Sequence, residues 1–351
     1  MAQNYFLQHI MKIRLLLFAC IAFSFSAIAQ IKNKTVDWTQ IKMNIPADRF
    51  VPRELFKIND TTMYLGCRYY LLNVSKDSLR VEFGDRDKDD KHVVRSVVSY
   101  DGVVYVSSQS NSVLYKSADS TWMNLLGTRT AKGNINWEMV EYKSQLYYTS
   151  WPRWIEVYDF KTKTWASSSM LDQRGAGYIA GFEKTKNDLF VSLYGGGVFK
   201  KDPTKDDWIN CNKGLPDNLN VRRILSVKNK IMFAATEEGV FYSKLKKFHW
   251  KPCIQTQGIG TKYVGLMYHN KTLYAIGTNG ELMISRDLGK KWTTIKINNS
   301  EGYVLYSIEA MGEDLYLSAD GQGKKPSGVF LIPISHLTSF KYSKGTIVSF
   351  Q

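Results

Sequence analysis

The segment KTLYAIGTNGELMISRDLGKKWTTIKI, residues 271–297, contains the pattern that decides the fold. It holds the triplet Leu273-Tyr274-Ala275 after a polar turn, a second apolar run after Gly280, and Trp292, which lies 19 residues beyond Leu273. Glycine, asparagine, aspartate and lysine separate the apolar runs, as hairpin turns between strands require. The segment therefore predicts consecutive short strands joined by tight turns.

The triplet recurs along the chain with a nearly constant period. Its copies are Met63-Tyr64-Leu65, Val104-Tyr105-Val106, Leu146-Tyr147-Tyr148, Leu189-Phe190-Val191, Ile231-Met232-Phe233, Leu273-Tyr274-Ala275 and Leu315-Tyr316-Leu317. Their first residues are 41 to 43 residues apart. In five units a tryptophan follows 18 or 19 residues later: Trp122, Trp165, Trp208, Trp250 and Trp292. With an apolar strand before each triplet, the sequence predicts an all-β, seven-bladed β-propeller with four-stranded antiparallel blades.

The two ends of such a ring have to be joined, because an open ring leaves exposed sheet edges. The segment KTVDWTQIKMN, residues 34–44, resembles GKKWTTIKINN, residues 289–299, which includes the outer strand of the sixth unit. Trp38 precedes the next triplet by 25 residues, close to the spacing in the other units. We therefore predict that the N-terminal strand closes the ring as the outer strand of the last blade. Residues 338–342 are the alternative closing strand.

The start of the chain is typical of an export signal. Lys12 and Arg14 precede a short apolar stretch that ends in Ala27-Ile28-Ala29, the pattern of a signal-peptide cleavage site. The sequence predicts a signal peptide over 1–29, with Met11 as an alternative start. We expect a secreted or periplasmic protein with no stable membrane span. A lipid anchor on Cys20 is the less favoured alternative.

The remaining chain, 30–351, is predicted to be a single propeller, with no element assigned to the tail 335–351. The whole sequence has 351 residues, 44% of them hydrophobic, and a net charge of +15, which is a globular composition. The leader contributes two basic residues and no acid, so its removal leaves +13. Export argues against a nucleic-acid partner, and the charge favours an acidic one. The remaining cysteines, Cys67, Cys211 and Cys253, are too few and odd in number for a disulfide framework.

One turn resembles a known repeat motif. Residues 285–292, SRDLGKKW, resemble the Asp-box or BNR motif, with Ser285, Asp287, Gly289 and Trp292 in the motif positions. Serine and aspartate bind the turn backbone, glycine takes a positive φ and tryptophan packs between blades. Residues 214–242 resemble the two-component-regulator propeller repeat. Both resemblances imply a YVTN/BNR-like propeller, and they specify fold better than function.

Three tryptophans fall out of phase, all in the third unit. Trp137 starts the inner strand of this unit. Trp151, Arg153 and Trp154 lie in the loop between its second and third strands. Exposed aromatic rings stack on sugars or partner side chains, and arginine pairs with anions. Further residues occupy repeat positions that place them near the face of the ring that carries these loops. The predicted ligand-binding set is Trp137, Trp151, Arg153, Trp154, Arg174, Arg222, Tyr263 and Arg68. A loop that packs on the neighbouring blade is the alternative for the tryptophan cluster.

These patterns favour a binding or scaffold module for an anionic polysaccharide or an envelope or extracellular protein, expected to be a monomer. No catalytic residue, metal site or cofactor is assigned: the histidines lack metal-ligand spacing, and residues 85–91 lack the glycine and final carboxylate of a calcium loop. The alternatives are a carbohydrate-active enzyme, either a glycoside hydrolase or a polysaccharide lyase, and a detached sensor-type propeller. A sialidase is the least favoured enzyme, because the sequence contains no Arg-Ile-Pro motif.

Overall fold

A computed structural model describes residues 35–43, 50–84, 93–108, 112–126, 136–150, 154–166, 169–171, 177–257 and 262–338. The predicted signal peptide and the end of the tail lie outside these ranges. The strands are β1 Thr35–Val36, β2 Thr39–Gln40, β3 Lys42–Met43, β4 Pro52–Lys57, β5 Met63–Cys67, β6 Leu71–Val74, β7 Ser78–Phe83, β8 Val94–Tyr100, β9 Val103–Ser108, β10 Ser112–Lys116, β11 Trp122–Asn124, β12 Asn136–Tyr142, β13 Gln145–Ser150, β14 Trp154–Asp159, β15 Thr164–Trp165, β16 Ser169–Met170, β17 Ile179–Lys184, β18 Leu189–Leu193, β19 Gly197–Lys201, β20 Trp208–Asn210, β21 Val221–Val227, β22 Ile231–Thr236, β23 Gly239–Lys244, β24 Lys247–Pro252, β25 Tyr263–His269, β26 Thr272–Gly277, β27 Glu281–Ser285, β28 Thr293–Ile297, β29 Val304–Met311, β30 Asp314–Asp320 and β31 Gly328–Pro333. A 3₁₀ turn spans Ile254–Thr256, and a short helix, α1, spans Ile334–Thr338.

The strands form seven sheets, and each contains the antiparallel blade of one predicted unit. The first six blades are β4–β7, β8–β11, β12–β15, β17–β20, β21–β24 and β25–β28, and the seventh is β29–β31 with β2. The short strand β16 also pairs with β14 in the third blade. Every triplet lies on the second strand of its blade, and the in-phase tryptophans lie on or directly before the fourth. The predicted seven-bladed propeller is therefore confirmed.

The second strand of each blade is buried on both faces. All residues of β5, β18 and β26 are buried, because each sheet is covered by the sheets on either side of it. The tryptophans contribute to this packing: Trp250 donates from Nε1 to the Cys211 carbonyl of the preceding blade at 2.7 Å. Apolar residues in the triplets therefore hold neighbouring blades together as well as their own strand.

The inner strand of every blade carries a register irregularity near its first residue. The shifts fall between Pro52 and Leu55, Val94 and Ser96, Asn136 and Met139, Ile179 and Gly181, Val221 and Arg223, Tyr263 and Gly265, and Leu305 and Ser307. A β-bulge leaves its extra residue unpaired and turns that side chain away from its usual direction. The seven blades thus place bulged residues at one level around the central channel.

The N-terminal segment Thr35–Met43 pairs with three blades. Strand β1 is parallel to β28 of the sixth blade, β2 is antiparallel to β31 of the seventh, and β3 is parallel to β7 of the first. Between them, Trp38 stacks on Phe330 with ring centroids 4.0 Å apart and meets Tyr303 edge-on at 5.1 Å. The alternative closing segment lies outside the described residues except for Thr338, the last residue of α1. Closure of the ring by the N-terminal strand stays a prediction.

The three cysteines of the described chain, Cys67, Cys211 and Cys253, are buried and free of disulfides. Burial raises the pKa of the Cys211 thiol to about 11 and that of Cys253 to about 12. Such thiols carry almost no thiolate at neutral pH and are therefore poor nucleophiles.

Replacing Trp38 tests the predicted closure. Trp38→Ala removes the rings that join the N-terminal segment to the seventh blade, and we expect it to lower the free energy of unfolding by about 2–3 kcal/mol. Trp38→Phe, which keeps a stacking ring, should lose less than half of that. The measurement is urea unfolding followed by fluorescence. A Trp38→Ala protein as stable as the wild type would contradict the closure.

Candidate functional site

The top face is defined here as the side of the ring that carries the loops between second and third strands and the connections between blades. Trp151, Arg153 and Arg174 lie outside the described residues. Trp137 belongs to β12, but its side chain is also outside the described residues. The half-buried Trp154 is the first residue of β14, directly after the loop between the second and third strands of the third blade. The tryptophan cluster predicted for this loop therefore stays a prediction.

Two predicted arginines have described contacts on this face. Arg68 is exposed in the loop between β5 and β6, with its guanidinium 5.3 Å from the ring centre of Tyr69. Arg222 lies on β21, 5.0 Å from the ring centre of Tyr194 in the loop between β18 and β19. Each pair combines a cation with an aromatic face, which leaves the guanidinium N–H groups directed away from the ring.

Tyr263 lies in the interior and not on the ligand face predicted for it. Its side chain is fully buried between the fifth and sixth blades, with the hydroxyl 2.7 Å from Met283 Sδ. Burial raises the pKa of Tyr263. Tyr263 precedes the bulge of its inner strand, as the equally buried Val221 and Leu305 do in theirs. Residues directly before a bulge pack between blades. Counting along the sequence repeat had placed Tyr263 one residue away from the position that faces the channel.

The inner strands enclose a central channel of about 230 Å³. Its polar lining includes carboxyl groups from four blades and one arginine: Glu54, Glu138, Glu183, Glu309 and Arg223. Glu54 and Glu138 lie within the register shifts of their strands. Glu183 and Glu309 lie two residues beyond the shifts of their strands, in regular pairing with the second strand, and no repeat position marks any of the four in the sequence.

An ion pair crosses this channel. Arg223 of the fifth blade pairs with Glu54 of the first, and these blades are not neighbours in the ring. Burial lowers the pKa of Arg223, while the carboxylate of Glu309 opposes that shift. The pair therefore connects two blades on different sides of the ring and occupies part of the channel.

The other channel carboxyl groups are held partly protonated. Burial raises the pKa of Glu138 to about 8, against the opposing charge of Arg95. Burial also raises the pKa of Glu183 to about 8, although Glu183 Oε1 accepts a 2.8 Å hydrogen bond from the Ser226 backbone N–H. The pKa of Glu309 rises to about 7 for the same reason, with Arg223 lowering it.

The channel is a poor place for glycoside chemistry. A hydrolase needs two carboxyl groups that face a sugar between them, and ligand pockets are usually at least about 300 Å³. The channel, at about 230 Å³ and crossed by an ion pair, has room for waters or one small group. Among the residues that the structure describes, no cluster of three or more His, Cys, Asp or Glu side chains could hold a metal ion.

The turn at residues 285–292 has the bonding pattern expected for its residue types. Ser285 Oγ accepts from the Gly289 N–H at 2.9 Å, and Asp287 Oδ1 accepts from the Lys291 N–H at 2.9 Å. Gly289 has a φ of +82°, and a Cβ there would lie 2.7 Å from the Phe233 ring of the neighbouring blade. Trp292 is buried in the same cluster as Phe233. These residues have a structural role in the turn, and membership of the Asp-box repeat type stays a prediction.

No protein-family model and no curated protein matches the sequence of this chain. Solved structures do match its fold. A chain described as the extracellular domain of the hybrid two-component system BT4673 from B. thetaiotaomicron is similar with a TM-score of 0.66 at 15% identity, over 84% of this chain and 39% of that one. YCF48 from Cyanidioschyzon merolae is similar with a TM-score of 0.64 at 13% identity, over 84% and 98% of the two chains. YCF48 bound to D1 peptide has a TM-score of 0.64 at 11% identity, over 85% and 96%.

At these identities the similarities show the fold alone, and this chain spans about two fifths of the length of the BT4673 domain. The similar structures include extracellular domains of B. thetaiotaomicron proteins, WD40 domains and YCF48 with a bound peptide. Within the described part of this chain, no helix has the length and apolar character needed to cross a membrane.

The buried carboxyl groups predict a particular pH dependence of stability. Burial raises the pKa of Glu183 to about 8 in the folded protein, from an ordinary value of 4.5 for a glutamate in water. Folding therefore favours the protonated form, and stability should fall as the pH rises from about 4.5 to about 8. Glu183→Gln keeps the acceptor for the Ser226 N–H and carries no charge. We expect it to remove on the order of 4 kcal/mol of this loss, measured by urea unfolding at pH 5 and pH 9.

The control for this measurement is Glu301→Gln, because Glu301 lies on an exposed turn and its pKa is lowered by Lys296. Its loss of stability between pH 5 and pH 9 should match that of the wild type. Equal losses in the wild type and Glu183→Gln would show that the buried carboxyl group does not penalise folding at high pH.

Proposed function

We propose that this protein is an exported, non-catalytic binding propeller whose top face receives an acidic segment of a partner protein. It acts in the periplasm or outside the cell, where the charge of +13 that remains after removal of the leader favours acidic partners. The observation that carries the proposal is the pairing of arginine with an aromatic ring at separate blades of the top face. Arg68 pairs with Tyr69 on the first blade, and Arg222 with Tyr194 between the fifth and fourth.

Such pairs suit a peptide that carries both acidic and apolar groups. The guanidinium edge binds a carboxylate, while the aromatic ring offers apolar surface beside it. Interfaces are enriched in arginine and tyrosine for this reason. The solved structure of YCF48 with a bound peptide supports protein binding by a propeller of this shape. An anionic polysaccharide would use the same charges, and the experiment below includes it as the competing outcome.

A sensor-type role is the second candidate. The neighbours include extracellular domains of two-component systems, and residues 214–242 resemble the repeat of such sensors. In that role the acidic segment belongs to a membrane-bound partner at the cell envelope. Crosslinking in cells should then recover one defined envelope protein, whereas release of the protein as a free monomer into the medium would count against this candidate.

The direct test compares ligands and variants in solution. Fluorescence polarisation would measure binding of a labelled twelve-residue peptide rich in Asp, Glu and Leu, and of a labelled sulfated oligosaccharide. We expect the wild type to bind the peptide, with an affinity that falls as salt rises. Arg222→Gln should weaken peptide binding by about fivefold, as expected for one charge-assisted pair.

The matched control is Arg80→Gln, which removes the same charge from the exposed outer strand of the first blade. It should leave peptide affinity unchanged. Equal weakening by both variants would show that only net charge matters and would contradict a top-face site. Binding of the oligosaccharide without the peptide would replace the protein partner with a glycan. Release of sugar products would overturn the non-catalytic assignment.

A further inference from the structure

The bulges of the inner strands bring three arginines to one end of the channel. Arg53, Arg95 and Arg222 each lie within the register shift of their strand, on the first, second and fifth blades. These shifts occur at the same place in all seven inner strands, close to the top face. The three side chains therefore belong to one level of the ring, which we call the channel mouth.

Aromatic rings and electrostatic contacts connect these arginines around the mouth. Arg53 lies 4.9 Å from the ring centre of Tyr306, which is the bulged residue of the seventh blade. Arg222 lies over Tyr194, whose ring stacks on Tyr178 at 4.3 Å.

Arg95 is close enough to Arg53, Glu138 and Tyr178 for their charges to act on its pKa, which burial lowers. The contacts thus run from the seventh blade through the first and second to the fourth and fifth. Cations from the first, second and fifth blades therefore lie around one opening.

The hydrogen-bonding capacity of this arrangement is incompletely used. The buried Nε atoms of Arg53 and Arg222 have no hydrogen-bond partner among the residues that the structure describes. A buried donor without a partner has lost its hydrogen bond to water and gained none in return, which is unfavourable. Two guanidinium faces are covered by tyrosine rings, so their N–H edges remain for a ligand. An anionic oxygen at the mouth would supply the missing acceptors.

The charge at the mouth is also poorly balanced. Glu138 is the carboxyl group that acts on Arg95, and its pKa of about 8 leaves it mostly protonated at neutral pH. Glu237 is a second carboxyl group near the mouth, since it acts on the same Tyr194 as Arg222. Among the residues that the structure describes, the three arginines therefore outnumber the carboxyl groups that act on them or on their aromatic partners. Like charges at close range repel and favour the entry of an anion between them.

We propose that Arg53, Arg95 and Arg222 form a carboxylate-binding site at the channel mouth. The site takes one carboxylate of the acidic segment, and in this respect it rests on the proposed function. The three arginines lie outside the lining of the central cavity of about 230 Å³, so the carboxylate binds beside that cavity and not within it. The site is thus the anchor of the interaction, while the surrounding aromatic rings contact the rest of the segment.

The test uses isothermal titration calorimetry with the free tetrapeptide Glu-Glu-Glu-Glu and with the tetrapeptide Gln-Gln-Gln-Gln. We expect the glutamate peptide to bind the wild type at low salt and the glutamine peptide not to bind. Arg53→Gln and Arg95→Gln should each lower the affinity for the glutamate peptide by about fivefold or more. Arg80→Gln should leave it unchanged. Arg53→Lys, which keeps the charge and loses the planar fork, should give an intermediate affinity.

The outcomes separate this site from the proposed function. If the twelve-residue peptide binds and Arg222→Gln weakens it, but Arg53→Gln and Arg95→Gln do not, the proposed function stands and the mouth site is wrong. If the tetrapeptide binds through Arg53 and Arg95 and the longer peptide does not, the mouth site stands and the proposed partner is wrong. Sulfate binding that exceeds binding of the glutamate peptide would overturn the assignment to a carboxylate. Unfolding temperatures within 2 °C of the wild type would show that the variants remain folded.

Discussion

The second strand of each blade is buried on both faces, and this constraint determines the rest of the structure. A four-stranded blade alone would expose the apolar side chains of one or both faces, so each blade depends on a neighbour on either side. Only a closed ring supplies two neighbours to every blade. The pairing of the N-terminal segment with the sixth, seventh and first blades fits this requirement, because it joins sheets from the two ends of the chain.

The same constraint explains why the channel is narrow and polar. The inner strands converge as the ring closes, so their channel-facing side chains lose water without gaining an apolar partner. Carboxyl groups in such a place respond by retaining protons, as the raised pKa values of Glu138, Glu183 and Glu309 indicate. The pair between Arg223 and Glu54 is the other response, since opposite charges compensate each other in a medium of low polarity.

The sequence was sufficient to predict the fold because the buried positions repeat. Triplets such as Leu189-Phe190-Val191 occupy strands with no exposed residue, so substitution to a polar residue there is costly and the pattern persists through all seven units. Tryptophans such as Trp250 persist for the same reason, because they fill the space between blades. The blade number and strand order follow directly from counting these positions.

The candidate site was only partly predictable, because it uses positions that packing does not constrain. Residues directly before the bulge are buried in the six blades where the structure describes their side chains, as Val94 and Val221 show. The bulged positions range from arginine to alanine and valine: Arg53, Arg95, Ala180, Arg222, Val264 and Tyr306. A bulge of one or two residues has no sequence marker of its own, which is why Tyr263 was placed on the ligand face and Arg53 and Arg95 were missed. Variation confined to one level of an otherwise regular ring is what a ligand site requires, since the repeat maintains the scaffold while these positions are free to match a partner.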